Sequence, residues 1–162
     1  MDSQLKQAWI SSLRLLEATP KTRKELAKKL LDKSYPESVV EETLLKLESQ
    51  GLLSDLAYAK DLAVKLTQGK PSGRRKISFE MKRHGVPAKI QEEVLAGITT
   101  DDEAERALEL AKPKWLSFQR LPEEKRKKRL FDFLMRRGFD YQIVRDVMSQ
   151  MKIEDDENSE GV

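Results

Sequence analysis

Residues 77–90 read ISFEMKRHGVPAKI, and the same arrangement of residue types occurs twice more along the chain. Residues 26–39 read LAKKLLDKSYPESV, and residues 130–143 read LFDFLMRRGFDYQI. In each copy, two apolar residues four positions apart are followed by a basic residue, a small residue and a bulky apolar residue. The copies start 51 and 53 residues apart, and a fixed period of this size indicates a row of similar supersecondary units.

The spacing of apolar residues predicts helices almost everywhere. They recur at intervals of three and four, as in the segment from Leu5 to Leu16, and no window shows convincing strand alternation. Each copy therefore predicts a helical hairpin. The small residue at its turn is Ser34, Gly85 or Gly138, in a slot that favours the left-handed conformation ending a helix.

A further helix is predicted ahead of each hairpin, at residues 4–18, 55–68 and 101–117. Thr22 and Glu25 have the spacing of a capping box at a helix start. Pro113 is expected to kink or split the helix that contains it, because proline has no amide hydrogen to donate.

The predicted fold class is all-α, with three tandem three-helix repeats. We expect the repeats to occupy residues 1–54, 55–100 and 101–152. Residues 153–162 are acidic and nearly devoid of apolar groups, so we expect them to form a disordered tail.

Charge is abundant and unevenly distributed. The chain has 31 Lys and Arg against 28 Asp and Glu. Residues 56–99 carry a net charge of +5 and residues 100–152 carry +3, whereas residues 153–162 carry −5. Segregated positive charge suggests a polyanion or an acidic protein surface as partner.

Little in the sequence points to catalysis or to a cofactor. The chain has no cysteine, and its only histidine, His84, occupies the slot of Lys33 and Arg137, where a role at a helix end explains it. We therefore predict a protein that is not an enzyme, with no cofactor and no metal site. We also expect no membrane association, a cytoplasmic location and a monomeric state.

Basic residues cluster in and beside the second and third copies, where they flank positions predicted to be in the core. We expect them to project outward and, where equivalent faces align, to form one basic surface for a phosphate backbone or an acidic groove. A solvated helix face remains the alternative for any single cluster. The candidate binding residues are Arg74, Arg75, Lys76, Lys82, Arg83, Lys125, Arg126, Lys128, Arg129, Arg136 and Arg137.

Four segments resemble the RecX family, bacterial regulatory proteins that act on the RecA recombinase. They are Thr22–Leu26, Leu52–Ala59, Gly73–Val86 and Arg136–Asp140, and the resemblance spans residues 5–152. Its most specific part is Leu-x-Asp-x-x-Tyr-Ala followed by Gly-x-x-x-Ile. The first repeat departs from the family pattern, since serine replaces the usual glycine at its turn.

The resemblance implies an elongated, curved protein of tandem three-helix modules that binds in the groove of the RecA recombinase filament. Single- or double-stranded DNA would be contacted directly or through RecA. The expected outcome is inhibition of ATP hydrolysis and strand exchange, in homologous recombination, DNA repair and the SOS response. The same binding is also compatible with a stabilised filament.

Two other interpretations stay open. One is a general helical DNA- or RNA-binding module without a recombinase partner, and the other is a helical-repeat scaffold that binds only protein.

If the basic surface binds the filament, charge reversal at Arg136 and Arg137 is expected to reduce inhibition without unfolding the protein.

Overall fold

The computed structural model describes residues 2–69 and 71–160, apart from the side chains of residues 153, 154 and 158–160. Within this part of the chain there are nine α-helices and no strand, which confirms the all-α fold class. The helices are α1 (Ser3–Ala18), α2 (Arg23–Asp32), α3 (Glu37–Ser49), α4 (Asp55–Gln68), α5 (Arg74–Arg83), α6 (Ala88–Ala96), α7 (Thr100–Ser117), α8 (Glu123–Arg136) and α9 (Tyr141–Glu160).

The helices predicted ahead of each hairpin are present as α1, α4 and α7. Pro113 lies inside α7 and does not split it, since the helix continues to Ser117. Pro113 and Glu109 are both exposed, so water can bind the Glu109 carbonyl that has lost its amide donor.

The acidic tail differs from the sequence-based prediction. We expected disorder from residue 153, but α9 continues to Glu160. Asp155 accepts hydrogen bonds from Trp115 Nε1 at 2.9 Å and from Arg126 Nη1 at 2.8 Å. These polar contacts join the end of α9 to α7 and α8 and compensate for the low apolar content. Residues 161 and 162 of the predicted tail lie outside the described residues.

The chain divides into two compact units. The first comprises Met1–Leu62 and Glu80–Val94, and the second comprises Ala63–Phe79 and Leu95–Val162. This division cuts through α4, α5 and α6. The separation into three repeats at residues 54 and 100 therefore stays a prediction.

Each unit has its own apolar core, to which the repeated positions contribute. In the first unit, α1, α2 and α3 pack together and bury Leu26, Leu30, Val40, Leu44, Leu47 and Leu53. In the second unit, α7, α8 and α9 bury Leu130, Leu134, Phe139, Ile143 and their neighbours. The two apolar residues that open each copy therefore face a core, as the spacing predicts.

The turn between α8 and α9 is packed against the start of α5. Gly138 has a φ of +81°, and its carbonyl accepts from Arg75 N at 3.1 Å. The Gly73 amide donates to the Arg137 carbonyl at 2.8 Å. A Cβ atom on Gly138 would lie 2.5 Å from the backbone nitrogen of Lys76. Glycine is thus required here both by the left-handed conformation and by a neighbouring backbone.

The first unit repeats this arrangement at the turn between α5 and α6. Gly85 has a φ of +83°, and a Cβ atom there would lie 2.7 Å from Cδ of Lys24. Thr22 Oγ1 caps α2 and donates to the His84 carbonyl at 2.6 Å. Glu25 Oε1 lies 2.7 Å from His84 Nδ1, a contact that the capping-box prediction did not include.

Candidate polyanion-binding surface

One exposed face of α8 carries four of the candidate residues. They are Lys125, Lys128, Arg129 and Arg136, and all four are exposed. Residues three, four and seven positions apart lie on the same side of a helix, so the spacing places these cations on one face. Asp132 is also exposed on that face and offsets one of the four charges.

Aromatic rings lie beside two cations of this region. Cζ of Arg129 is 5.9 Å from the centre of the Phe118 ring, and Nζ of Lys114 is 4.9 Å from the centre of the Phe133 ring. Both distances suit attraction between a cation and the face of a ring. The α7–α8 side of the second unit therefore combines positive charge with flat apolar surface.

The start of α5 contributes a second group of cations to the second unit. Arg75 is exposed, whereas Arg74 and Lys76 are half-buried. The Arg74 amide donates to Glu103 Oε1 at 3.1 Å, and Glu103 is a buried residue that is only 2% exposed. Since Arg75 N also donates to the Gly138 carbonyl, the fold brings this group next to the end of α8, where Arg136 lies.

The remaining α5 candidates, Lys82 and Arg83, belong to the first unit and are both exposed. Arg83 Nη2 lies 2.7 Å from Glu80 Oε2, and this hydrogen bond raises the pKa of Arg83 above its ordinary value. The carboxylate of Glu80, on the same helix, thus already neutralises part of the positive charge of Arg83.

Arg126 faces inward, contrary to the expectation that every candidate cation projects outward. Its Cζ lies 3.6 Å from the centre of the Trp115 ring, and its Nε and Nη2 donate to the Trp115 carbonyl at 3.0 and 2.8 Å. Nη1 forms an ion pair with Asp155 at 2.8 Å. Apolar stacking and satisfied donors make Arg126 a packing residue rather than an exposed contact.

Arg137 is also held by the protein itself. Its Nε and Nη2 donate to the Pro71 carbonyl at 3.2 and 3.0 Å, and Nη2 lies 3.3 Å from Ser72 Oγ. The side chain is half-buried. The expectation that charge reversal at this position leaves the fold intact is therefore revised, whereas it stands for the exposed Arg136.

Removal of the Asp155 carboxylate tests the anchor of the acidic tail. We expect Asp155→Ala to lower the free energy of unfolding by about 1 kcal/mol, because it leaves the half-buried donors of Arg126 and Trp115 to water. Urea unfolding followed by circular dichroism measures the change. Asp156→Ala is the control, since Asp156 is exposed and has the same charge. Equal effects of the two substitutions would contradict the anchor.

Sequence reasoning missed two cations of the second unit, Arg145 and Lys152, and left Lys127 out of the candidate residues although it lies in the basic run at residues 125–129. Lys127 on α8, and Arg145 and Lys152 on α9, line a groove together with aromatic side chains. Lys127 Nζ lies 3.0 Å from Glu123 Oε1, and this hydrogen bond raises the pKa of Lys127 and lowers that of Glu123. The sequence does carry a signal for the α9 pair, because Tyr141, Arg145 and Lys152 are spaced by four and seven residues.

Neither a metal-binding cluster nor a membrane-spanning helix occurs among the described residues. Among the described residues, no three or more His, Asp or Glu side chains are grouped so as to hold a metal ion. Nor does any helix in that part of the chain have the length and apolar character that a membrane span requires.

Two family models match the chain. The model described as "RecX, first three-helix domain" matches residues 8–47, and the model described as "RecX, third three-helix domain" matches residues 101–148. The second match covers nearly all of α7, all of α8, where the exposed cations lie, and the beginning of α9 as far as residue 148.

Solved structures share the fold. The crystal structure of RecX from Lactobacillus salivarius superposes with a TM-score of 0.86 at 20% identity, covering 94% of this chain and 99% of that one. A crystal structure of regulatory protein RecX superposes with a TM-score of 0.80 at 25% identity, covering 90% of this chain and 73% of that one.

Curated relatives extend the match to sequence over nearly the whole length. Regulatory protein RecX of Chlorobium limicola is 34% identical over 150 residues, which are 93% of this chain and 92% of the relative. Regulatory protein RecX of Streptomyces coelicolor is 32% identical over 156 residues, which are 96% of this chain and 83% of the relative. These matches confirm the resemblance noted from the sequence, and the chain belongs to the RecX family.

Proposed function

We propose that this protein binds the RecA filament on DNA and inhibits its ATP hydrolysis and strand exchange. The observation that carries the proposal is membership of the RecX family along nearly the full length of the chain, in a group whose curated members are named regulatory proteins. On this proposal the protein acts as a cytoplasmic monomer in homologous recombination, DNA repair and the SOS response.

The exposed cations supply the physical basis for binding. Lys125, Lys128, Arg129 and Arg136 on α8, with Arg75 and Lys82 on α5, are free of the packing contacts that hold Arg126 and Arg137. Such cations attract DNA phosphates and the acidic walls of a protein groove. A protein bound across successive recombinase subunits would restrict the subunit movements that turnover requires.

The DNA-dependent ATPase rate of RecA, measured with and without this protein, tests the proposal directly. We expect the rate to fall as the protein is added, and the protein to be retained by immobilised RecA filaments. Binding to naked DNA with no effect on the recombinase would support the general nucleic-acid-binding module instead. A slower loss of filament with an unchanged initial rate would indicate stabilisation rather than inhibition.

Charge reversal on α8 tests the binding face. We expect the double substitution Lys128→Glu and Arg129→Glu to weaken inhibition by about ten-fold or more at low salt, because two attractive contacts become repulsive. The same ATPase titration, repeated over a range of salt concentrations, measures the change. Each phosphate contact contributes about 0.9 to the slope of log affinity against log salt on duplex DNA, so the slope is also expected to fall.

Arg14→Glu on α1 provides the control, since Arg14 is exposed and lies outside the candidate set. Normal inhibition by a folded double variant would exclude this face as the contact. Binding that is insensitive to salt in the unmodified protein would favour the scaffold that binds only protein.

A further inference from the structure

A groove in the second unit lies between α7, α8 and α9 and has a volume of about 420 Å³. Its lining combines three aromatic side chains with three cationic ones: Trp115, Phe131, Tyr141, Lys127, Arg145 and Lys152. Ligand-binding clefts have volumes of about 300–1,000 Å³, so the groove is large enough for part of a polymer rather than for an ion alone.

The aromatic wall is partly open to solvent. Tyr141 is 48% exposed, and its ring packs against Phe131 at a centroid distance of 6.1 Å with an edge-to-face angle of 82°. Trp115 is buried, and Arg126 already covers its ring. Tyr141 is therefore the flat apolar surface that the groove offers to a ligand, and Phe131 holds its ring in place.

The cations lie at the same wall. Cζ of Arg145 is 5.7 Å from the centre of the Tyr141 ring, and Arg145 Nη1 is 3.4 Å from the Tyr141 hydroxyl. Arg145 and Lys152 are exposed, whereas Lys127 forms an ion pair with Glu123. A ligand that covers the Tyr141 ring would therefore also meet positive charge.

Carboxylates of the protein itself line a cleft next to the groove. A second cleft shares Lys127 and Lys152 with the groove and is lined by Asp155 and Asp156 of α9. Asp155 is bound there by Trp115 and Arg126. Carboxylates of the tail thus occupy one side of this basic region, whereas Arg145 and Lys152 of the groove are exposed.

We propose that the groove binds single-stranded nucleic acid, with one base stacked on Tyr141 and the adjoining phosphates on Arg145 and Lys152. A single strand repeats a flat base next to an anionic phosphate, and this wall presents the complementary pair, a flat ring next to cations. Proteins that bind single strands combine such rings and cations. The inference rests on the proposed function, since a RecA filament brings single-stranded DNA to the protein. Neither Arg145 nor Lys152 is among the candidate cations predicted from the sequence, and Tyr141 was not a candidate either.

Binding of a fluorescein-labelled ten-nucleotide thymidine strand to the full-length protein, followed by anisotropy, tests the site. Base stacking on an aromatic side chain is worth about ten-fold or more in affinity, so Tyr141→Ala is expected to weaken binding by that factor. Phe79→Ala is the matched control, because Phe79 is 64% exposed on α5 and does not line the groove. We expect it to leave the affinity unchanged.

An abasic strand of the same length separates stacking from charge. We expect it to bind more weakly than the thymidine strand and to bind the Tyr141→Ala variant and the unmodified protein equally. Arg145→Gln keeps the fold, since Arg145 is exposed, and is expected to reduce the salt slope by about 0.7 through loss of one phosphate contact.

Three outcomes would overturn the site. The first is unchanged affinity of both groove variants for the thymidine strand. The second is equal affinity of the unmodified protein for the abasic and thymidine strands. The third is preferential displacement of the strand by an acidic peptide with aromatic residues. The last result would identify the groove as a peptide site. If the groove variants bind the strand normally while the unmodified protein still inhibits the RecA ATPase, the groove inference fails and the proposed function stands.

Discussion

Gly138→Ala is expected to lower the free energy of unfolding by about 3 kcal/mol, the sum of a conformational term and a steric term. Gly138 has a φ of +81°, where an L-amino acid with a Cβ atom is about 1–2 kcal/mol less stable than in its preferred conformations. The new Cβ would also lie 2.5 Å from the backbone nitrogen of Lys76. Backbone atoms move little, so overpacking adds about 1–3 kcal/mol.

Two other glycines separate these terms. Gly51 has a φ of +72° and no atom within 4 Å of its added Cβ, so Gly51→Ala is expected to cost only about 1 kcal/mol. Gly85 has a φ of +83°, but its neighbour is the flexible side chain of Lys24. Gly85→Ala should therefore fall between the other two.

Thermal unfolding followed by circular dichroism measures the series. For a chain of this size, a loss of about 3 kcal/mol corresponds to a fall of roughly 6–12 °C in the unfolding midpoint. A Gly138 variant no less stable than the Gly51 variant would contradict the close packing of the α8–α9 turn on the start of α5.

The repeat predicted the helices and the core well, because both follow from local chemistry. Leu26, Leu30, Leu130 and Leu134 are fully buried, as their spacing requires. The left-handed turns were also predicted, and Ser34 adopts one at a φ of 68° without being glycine. The pattern did not contain the steric reason for glycine at residue 138. That reason is the backbone of Lys76, which lies more than sixty positions earlier in the sequence.

The candidate surface was predicted less completely, because the direction of a long cationic side chain depends on its tertiary neighbours. Arg126 lies among exposed lysines and arginines in sequence, yet it stacks on Trp115 and pairs with Asp155. Both partners lie on other helices, and Asp155 belongs to a segment expected to be disordered. The groove cations were missed for a related reason, since Arg145 and Lys152 are single charges rather than members of a run.

Arg136 and Arg137 are adjacent in sequence, yet their charge reversals are expected to have different effects. Arg137→Glu should lower the free energy of unfolding by about 2–4 kcal/mol, because it removes the donors to the Pro71 carbonyl and to Ser72 Oγ. It also places a half-buried carboxylate against a carbonyl oxygen. Arg136→Glu should cost no more than about 1 kcal/mol, since Arg136 is exposed.

The two positions form a matched pair because both lie at the carboxyl end of α8, where a cation interacts favourably with the helix dipole. That contribution is lost equally in the two variants, so the difference between their urea midpoints reports the contacts of Arg137. Arg137→Gln is a third variant, since its amide can still donate to Pro71, and it is expected to recover part of the loss.

Substitution should weaken inhibition of the RecA ATPase more at Arg136 than at Arg137, which is the opposite of the order expected for stability. At a temperature where both variants are folded, Arg136→Gln is expected to weaken inhibition more than Arg137→Gln, because Arg136 is exposed whereas Arg137 is half-buried. Equal stability of the two charge reversals would refute the packing role of Arg137. A folded Arg136→Glu variant that inhibits as well as the unmodified protein would remove Arg136 from the binding surface.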